Sequence, residues 1–161
     1  EVLSLATPLA LDSGQSLDLV QIAYEAYGAL SPARDNAILI CHFYSGNSHA
    51  AGKYAEADKV PGYWDAIIGP GKAIDTNKYF VLSSDTLVNL SVTAPTVTTG
   101  PASTDPDTGK PYGLSFPVVS IRDFIEVQKK LVDSLGIKKL VMGSVASQVI
   151  ATAPCPVLTV H

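Results

Sequence analysis

The chain has 161 residues, a formal net charge of −4, 47% hydrophobic residues and 16% charged residues. That composition suits one packed globule, burying roughly 70% of its unfolded surface, and excludes a disordered chain. The charge forms no basic cluster and no apolar run reaches the ~18 residues of a membrane helix, so neither nucleic acid, an anionic bilayer nor a membrane span is expected.

No charged-then-apolar leader opens the sequence. Residues 17–28, LDLVQIAYEAYG, are rich in β-formers and stop at Gly28, which predicts a leading strand or hairpin. Short apolar runs bounded by turn residues mark buried strands at AILIC (37–41) and YFVLS (79–83), and again at KLVM (139–142) and VLTV (157–160). YWDAII (63–68) reads as a short helix. Cys41 and Cys155 lie in apolar, strand-like surroundings and read as free, buried thiols, which fits a cytoplasmic location. Between residues 84 and 120 the periodicity fails. TAPTVTTGPASTDPDTGKPYG (93–113) is dense in Pro, Gly, Thr and Asp, as in long functional or mobile loops.

The clearest element is SIRDFIEVQKKLVDSLG (120–136). Ser120 and Asp123 have capping-box spacing, Gly136 suits the position after a helix end, and Ile121, Phe124, Ile125, Leu131, Val132 and Leu135 make one apolar stripe. A second helix is predicted from Ser144 to about Ala153, stopped by Pro154 and Pro156. Strand 139–142, helix 144–153 and strand 157–160 then form a right-handed βαβ unit. Alternating strands and helices give an α/β, three-layer fold with a mostly parallel sheet, as a single domain over 1–161.

Four stretches carry a family resemblance: YEAYG (24–28), NAILICHFYSGNSHAAGKY (36–54), PGYWDAIIGPGKAIDTNKYFVLSSD (61–85) and residues 98–140 from TTGPASTD to LGIKKL. In this order they resemble the homoserine O-acetyltransferase family of α/β-hydrolase-fold enzymes, over about residues 17–140. The resemblance implies a truncated α/β-hydrolase-like fold. It also implies a cytoplasmic, methionine-biosynthetic acyl transfer from acetyl-coenzyme A to the homoserine hydroxyl through an acyl-serine. Acetyl-coenzyme A is then a co-substrate, with no bound cofactor and no metal. Such chemistry needs a serine on a strand-to-helix elbow, a histidine base oriented by an aspartate, and backbone donors for the oxyanion.

Phe43 and Tyr44, in the segment His42-Phe43-Tyr44-Ser45-Gly46 after the strand AILIC, are the oxyanion-loop candidates under this resemblance. Taken alone, the residues favour a glycine-containing loop leaving a strand, with His42 hydrogen-bonded structurally; the resemblance reverses that preference. The family's base comes much later in the chain, so His42 is not that base. Ser144 is the candidate nucleophile, but its elbow departs from the family's G-x-S-x-G-G. Here the run is Gly143-Ser144-Val145-Ala146-Ser147, no G-x-S-x-G occurs elsewhere, and only His161, with no aspartate, follows. A truncated or inactive form is the expectation.

The last stretch, GSVASQVIATAPCPVLTVH (143–161), is similar to the end of universal stress proteins. That similarity implies a small nucleotide-binding domain in which Gly143 and Ser144 hold an ATP phosphate at a helix start. The upstream Gly-x-x-Gly of nucleotide binders is absent; Asp133-Ser134-Leu135-Gly136 stands there instead. Ser144 therefore has three readings: helix cap, phosphate contact or nucleophile. A non-catalytic, purely structural chain is the third functional class. A small-molecule substrate is the expected partner, and an uncovered strand edge or apolar face would favour a homo-oligomer.

Overall fold

A computed structural model describes residues 1–88 and 98–141. The chain opens with two antiparallel pairings. β1 (Val2–Ser4) runs against β4 (Gln21–Tyr27), with Leu3 opposite Ile22, and β2 (Leu9–Ala10) pairs with β3 (Ser16–Leu17) as a small hairpin between them. Leu19, at φ 51°, breaks the predicted 17–28 stretch into a hairpin arm and a separate strand. Gly28 ends β4 at φ +81°, where a Cβ would lie 2.4 Å from the Tyr79 carbonyl oxygen, so no side chain fits.

β5 (Ala37–Ile40) and β8 (Phe80–Ser84) form where the apolar runs place them. They pair in parallel, Ala37 opposite Phe80, and β8 pairs on its other side with β4 in antiparallel register, Tyr24 opposite Ser84. The four-stranded order is β1-β4-β8-β5. The sheet is therefore mixed, which corrects the expectation of a mostly parallel one. The continuous apolar runs of β5 and β8 belong to the parallel pair of this sheet, and β4, buried at Ile22, Ala23 and Tyr24 in succession, adds to β8 in antiparallel direction. Within the predicted strand 139–142, Leu140 makes a parallel bridge to Ala37 and the Val141 N–H donates to the Ala37 carbonyl. Met142, helix 144–153 and strand 157–160 lie outside the described residues.

Residues 63–67 are turns rather than part of the helix predicted over 63–68. They lead into β6 (Ile68–Gly69), which pairs in parallel with β7 (Ile74–Asp75). Six residues bracketed by Gly62 and Gly69 are too few to repay helix nucleation. Cys41 is free but exposed, not buried as its apolar neighbours suggested, because it is the first residue past the end of β5.

The helix α1 (Ile121–Ser134) has both predicted ends. Ser120 Oγ accepts from the Arg122 N–H at 3.2 Å, and Asp123 Oδ2 accepts from the Ser120 N–H at 2.6 Å. At the other end Gly136 adopts φ +65°; its N–H donates to Asp133 and that of Ile137 to Val132, which satisfies two otherwise unpaired carbonyls. The packed face is rotated from the predicted stripe. Asp123, Val127 and Leu131, one above another at i, i+4, i+8, face the sheet with Val132, while Ile121 and Ile125 are 69% and 44% exposed. Asp123 takes the first-turn position because its carboxylate also accepts the Asp12 N–H at 2.8 Å, and no isoleucine can do that.

The sheet buries both faces, as the alternation along β8 shows. Leu82 packs with Ile22, Val127 and Leu131 under the helix, and Val81 packs with Ile40, Ala50, Ala51 and Ile68 on the other side. Among the described residues that second face is covered by the chain between 48 and 79 rather than by a helical layer. No described helix is long and apolar enough to cross a membrane.

Leu131→Ala should cost about 2–5 kcal/mol, the usual range for a fully buried leucine, while Ile121→Ala should cost less than about 1 kcal/mol. Urea unfolding of the two variants reads the difference, and equal losses would place the packed face elsewhere.

Candidate active site

β5 and β8 end on the same side of the sheet, and in parallel sheets the crevice beyond the carboxyl ends is where ligands bind. Beyond β5 the chain turns at once. The Gly46 N–H donates to the Phe43 carbonyl at 2.7 Å, closing a turn over Phe43–Gly46, and His42 Nδ1 donates to the same carbonyl at 2.7 Å. The N–H groups of Phe43 and Tyr44 make no hydrogen bond within the described residues. Phe43 is 57% exposed with its ring edge-on to Tyr63, and Tyr44 is 91% exposed. Beside them lies a pocket of about 470 Å³, with His42, Tyr44 and Thr86 at its polar end and walls that include Leu87, Val119 and Phe124. Among the described residues neither of these N–H groups has a partner, and the Tyr44 side chain lines the pocket.

The loop behind that turn is held by two carboxylates that sequence reasoning missed. Asp85, one residue past β8, is fully buried, and its Oδ1 accepts the Ser48 N–H at 2.5 Å. Its main chain is fixed as well. The Asp85 N–H donates to Ala23, and its carbonyl accepts from Thr98 Oγ1, which in turn receives the Ala23 N–H. Among the described residues, Oδ2 of Asp85 and Nε2 of His42 are buried without hydrogen-bond partners. Burial pushes the Asp85 carboxyl from 3.8 up to about 6, against the opposing pull of the Ser48 N–H and of His42.

Glu25, on β4, holds the next part of the loop. It accepts from Tyr27 Oη and Tyr54 Oη at 2.6 Å each, and from His49 Nδ1 at 3.1 Å; the His49 ring stacks on Tyr54. Tyr27 Oη receives the N–H groups of Ala50 and Ala51. Burial, and then the bond to Glu25, raise both tyrosine hydroxyls well above their ordinary range, so they remain donors. Gly62 seals the loop from above: a Cβ there would lie 2.2 Å from the Ala51 nitrogen. Asp85 had one signal in the sequence, a lone carboxylate directly after a buried apolar strand. The Glu25 cluster had none, since its members are spread over 29 positions.

Of the predicted site residues, Tyr44 lines the pocket with His42, while Phe43 packs its ring against Tyr63. Gly143 and Ser144 lie outside the described residues, and so do Cys155 and His161. Among the described residues no group of His, Cys, Asp and Glu could hold a metal ion.

The mixed sheet, the helix on one face and the loop beyond β5 define part of an α/β-hydrolase fold. Esterase E22 superposes with TM-score 0.82 at 57% identity, over 87% of this chain and 38% of that one. Homoserine O-acetyltransferase from Bacillus anthracis gives 0.81 at 46% identity, over 87% and 37%. The chain resembles the homoserine O-acetyltransferase family over most of its own length. It is 58% identical to homoserine O-acetyltransferase of Methanosphaerula palustris across 137 residues, 85% of this chain and 27% of that protein. It is 53% identical to homoserine O-succinyltransferase of Magnetococcus marinus across 135 residues, 84% of this chain and 33% of that one. The chain thus spans about a third of the length of these relatives. No family model matches it. None of these relatives is a universal stress protein, and the ATP reading of Gly143 and Ser144 gains no support from them.

The Asp85 environment has a thermodynamic signature. Between 3.8 and about 6 the folded protein keeps a proton that the unfolded chain has released. The contribution of Asp85 to stability is then fully present below pH 3.8, is lost as pH rises to about 6 and is level above it. The uncharged isostere Asp85→Asn should gain up to about 3 kcal/mol over the parent at pH 7, with no gain at pH 3.8. Urea midpoints across that range measure it, and a gain independent of pH would remove Asp85 as its source.

Proposed function

We propose that this polypeptide carries the oxyanion side of an acyl-serine acyltransferase that moves an acetyl group from acetyl-coenzyme A to the hydroxyl of homoserine, in the cytoplasm. The observation that supports the reading is the pair of N–H groups on Phe43 and Tyr44, without a partner among the described residues and beside the pocket at the end of β5. The printed activities of the similar proteins, acyl transfer to homoserine and ester cleavage, both pass through a tetrahedral oxyanion when serine attacks an acyl carbonyl. The negative charge grows on the carbonyl oxygen at that moment. Fixed N–H donors at hydrogen-bonding distance stabilise it without any reorganisation.

Ser144 is the nucleophile in this reading, and its surroundings in sequence limit the rate. A serine hydroxyl needs a base to take its proton, and the glycines that allow a tight elbow are replaced by Val145, Ala146 and Ser147. Within the 161 residues only His161 follows Ser144, with no aspartate to orient it. Catalysis by the 161-residue chain then rests on the oxyanion donors, roughly 10³-fold over water by analogy with triad-deleted hydrolases.

Thiol release from acetyl-coenzyme A with homoserine should therefore run orders of magnitude below ~10 per second. A p-nitrophenyl acetate assay reads the remaining activity, and Tyr44→Pro or Phe43→Pro, which delete one N–H each, should lower it by up to about 10²-fold. Release untouched by both substitutions would reject this loop as the oxyanion site. Serine-dependent turnover near one per second, lost in Ser144→Ala, would reveal a base the sequence does not show.

A further inference from the structure

We propose that the pocket beside the Phe43–Gly46 turn receives the acyl chain and selects an uncharged aliphatic group longer than acetyl, turning away an anionic group such as succinyl. The inference rests on the proposed function in taking that turn as the place of the acyl carbonyl. The preference for an uncharged chain stands on the lining of the pocket alone.

The lining is the first observation. Its apolar part comes from two segments, Leu87 and Val88 after β8 and Val119, Ile121 and Phe124 around the start of α1. Leu87 belongs to the buried core, and Val88, Val119 and Phe124 pack against that core, so these walls are held in place. The polar lining residues, His42, Tyr44 and Thr86, follow the ends of β5 and β8. A chain whose carbonyl lies at the turn therefore meets hydrocarbon as it runs into the pocket.

Charge is the second. None of the 11 lysines and arginines lines the pocket, and residues 89–97 and 142–161 contain neither residue type. Arg122, although it stands between two pocket residues on α1, has its side chain 81% exposed and paired with Asp12 at 3.6 Å. His42 is the one lining side chain that can become cationic, and it already faces the negative charge of Asp85. A carboxylate carried into this pocket would lose its water and gain no cation in return. Homoserine brings an ammonium and a carboxylate, and coenzyme A brings phosphates, so the acyl chain is the uncharged component of the proposed reaction. The similar proteins are named for both acetyl and succinyl transfer, and this lining suits only the neutral group.

Size is the third. A volume of about 470 Å³ is in the range that buries whole small ligands, and the methyl of an acetyl group leaves most of it unfilled. Each further methylene buried there should strengthen binding about fourfold.

The test compares ligands that keep the acyl carbonyl but cannot be turned over: acetone, butyl methyl ketone and levulinate. The last two share a methyl ketone and two methylenes, then end in an ethyl group or a carboxylate. Two-dimensional NMR of the 161-residue protein reads their binding. Butyl methyl ketone should move the signals of Leu87, Val119 and Phe124, and should bind at least about tenfold more tightly than either acetone or levulinate. Val119→Arg supplies the missing cation and should place levulinate ahead of butyl methyl ketone. Equal affinities in the parent, tighter binding of levulinate there, or shifts at none of the three residues would overturn the proposal. So would a folded Val119→Arg that keeps the parent order; if that variant does not fold, the parent comparison decides alone. No turnover enters the measurement, so a failed p-nitrophenyl acetate assay would reject the oxyanion reading and leave the pocket to be judged by the ketones.

Discussion

Glu25 projects from the face of β4 that α1 does not cover, and three side chains converge on its carboxylate: two tyrosine hydroxyls and an imidazole. The Glu25 and His49 side chains are only 16% and 14% exposed, so this charge is largely removed from water. A carboxylate in that position is tolerated only when its lone pairs are filled, and here the loop's own donors fill them. The dependence runs both ways. Tyr27 can turn its hydroxyl oxygen to the amides of Ala50 and Ala51 because its proton is committed to Glu25. The segment that covers the second face of the sheet thus lies where it does because one glutamate must be satisfied.

Sheet topology supplies the other half of the site. A strand that pairs in parallel on one side and antiparallel on the other, as β8 does, brings the carboxyl end of β5 next to a segment that continues β8 past Ser84. Leu87 then packs in the core beneath the helix while Thr86 faces the pocket. Thr98 and Thr99 take over the bonding of β4 where β8 leaves it, at Gln21 and Ala23. The proline-rich segment that looks structureless in sequence is therefore part of the sheet's edge at one of its ends. The same arrangement places the loop donors, the pocket and a buried acid within one end of the fold.

What the sequence makes legible is local. The apolar runs of β5 and β8 and both ends of α1 depend on neighbouring residues, and they fall where spacing places them. Phe43 and Tyr44 are named through the family resemblance, and they follow directly on the legible strand β5. Long-range partnerships are not legible. Nothing near Glu25 announces Tyr54, nothing near Asp85 announces Ser48, and the antiparallel return of β4 beside β8 leaves no mark in either strand. The helix stripe goes astray for a related reason: an aspartate reads as solvent-facing until its distant partner is known, so the frame was drawn through Ile121 and Ile125 rather than through Asp123 and Val127.

Asp123 has a bearing on how the chain is made as well as on how it stands. Its carboxylate closes the first turn of α1 and also receives the amide of Asp12, 111 positions earlier. At the 5–20 residues per second of protein synthesis, roughly 5–20 s separate the emergence of those two groups from the ribosome. During that interval the β2–β3 hairpin and the apolar side of β4 have no helix to close over them, and Leu9, Leu17, Val20 and Ile22 wait for Val127 and Leu131. The nascent amino-terminal segment thus keeps an uncovered apolar side until residue 123 arrives to fasten it.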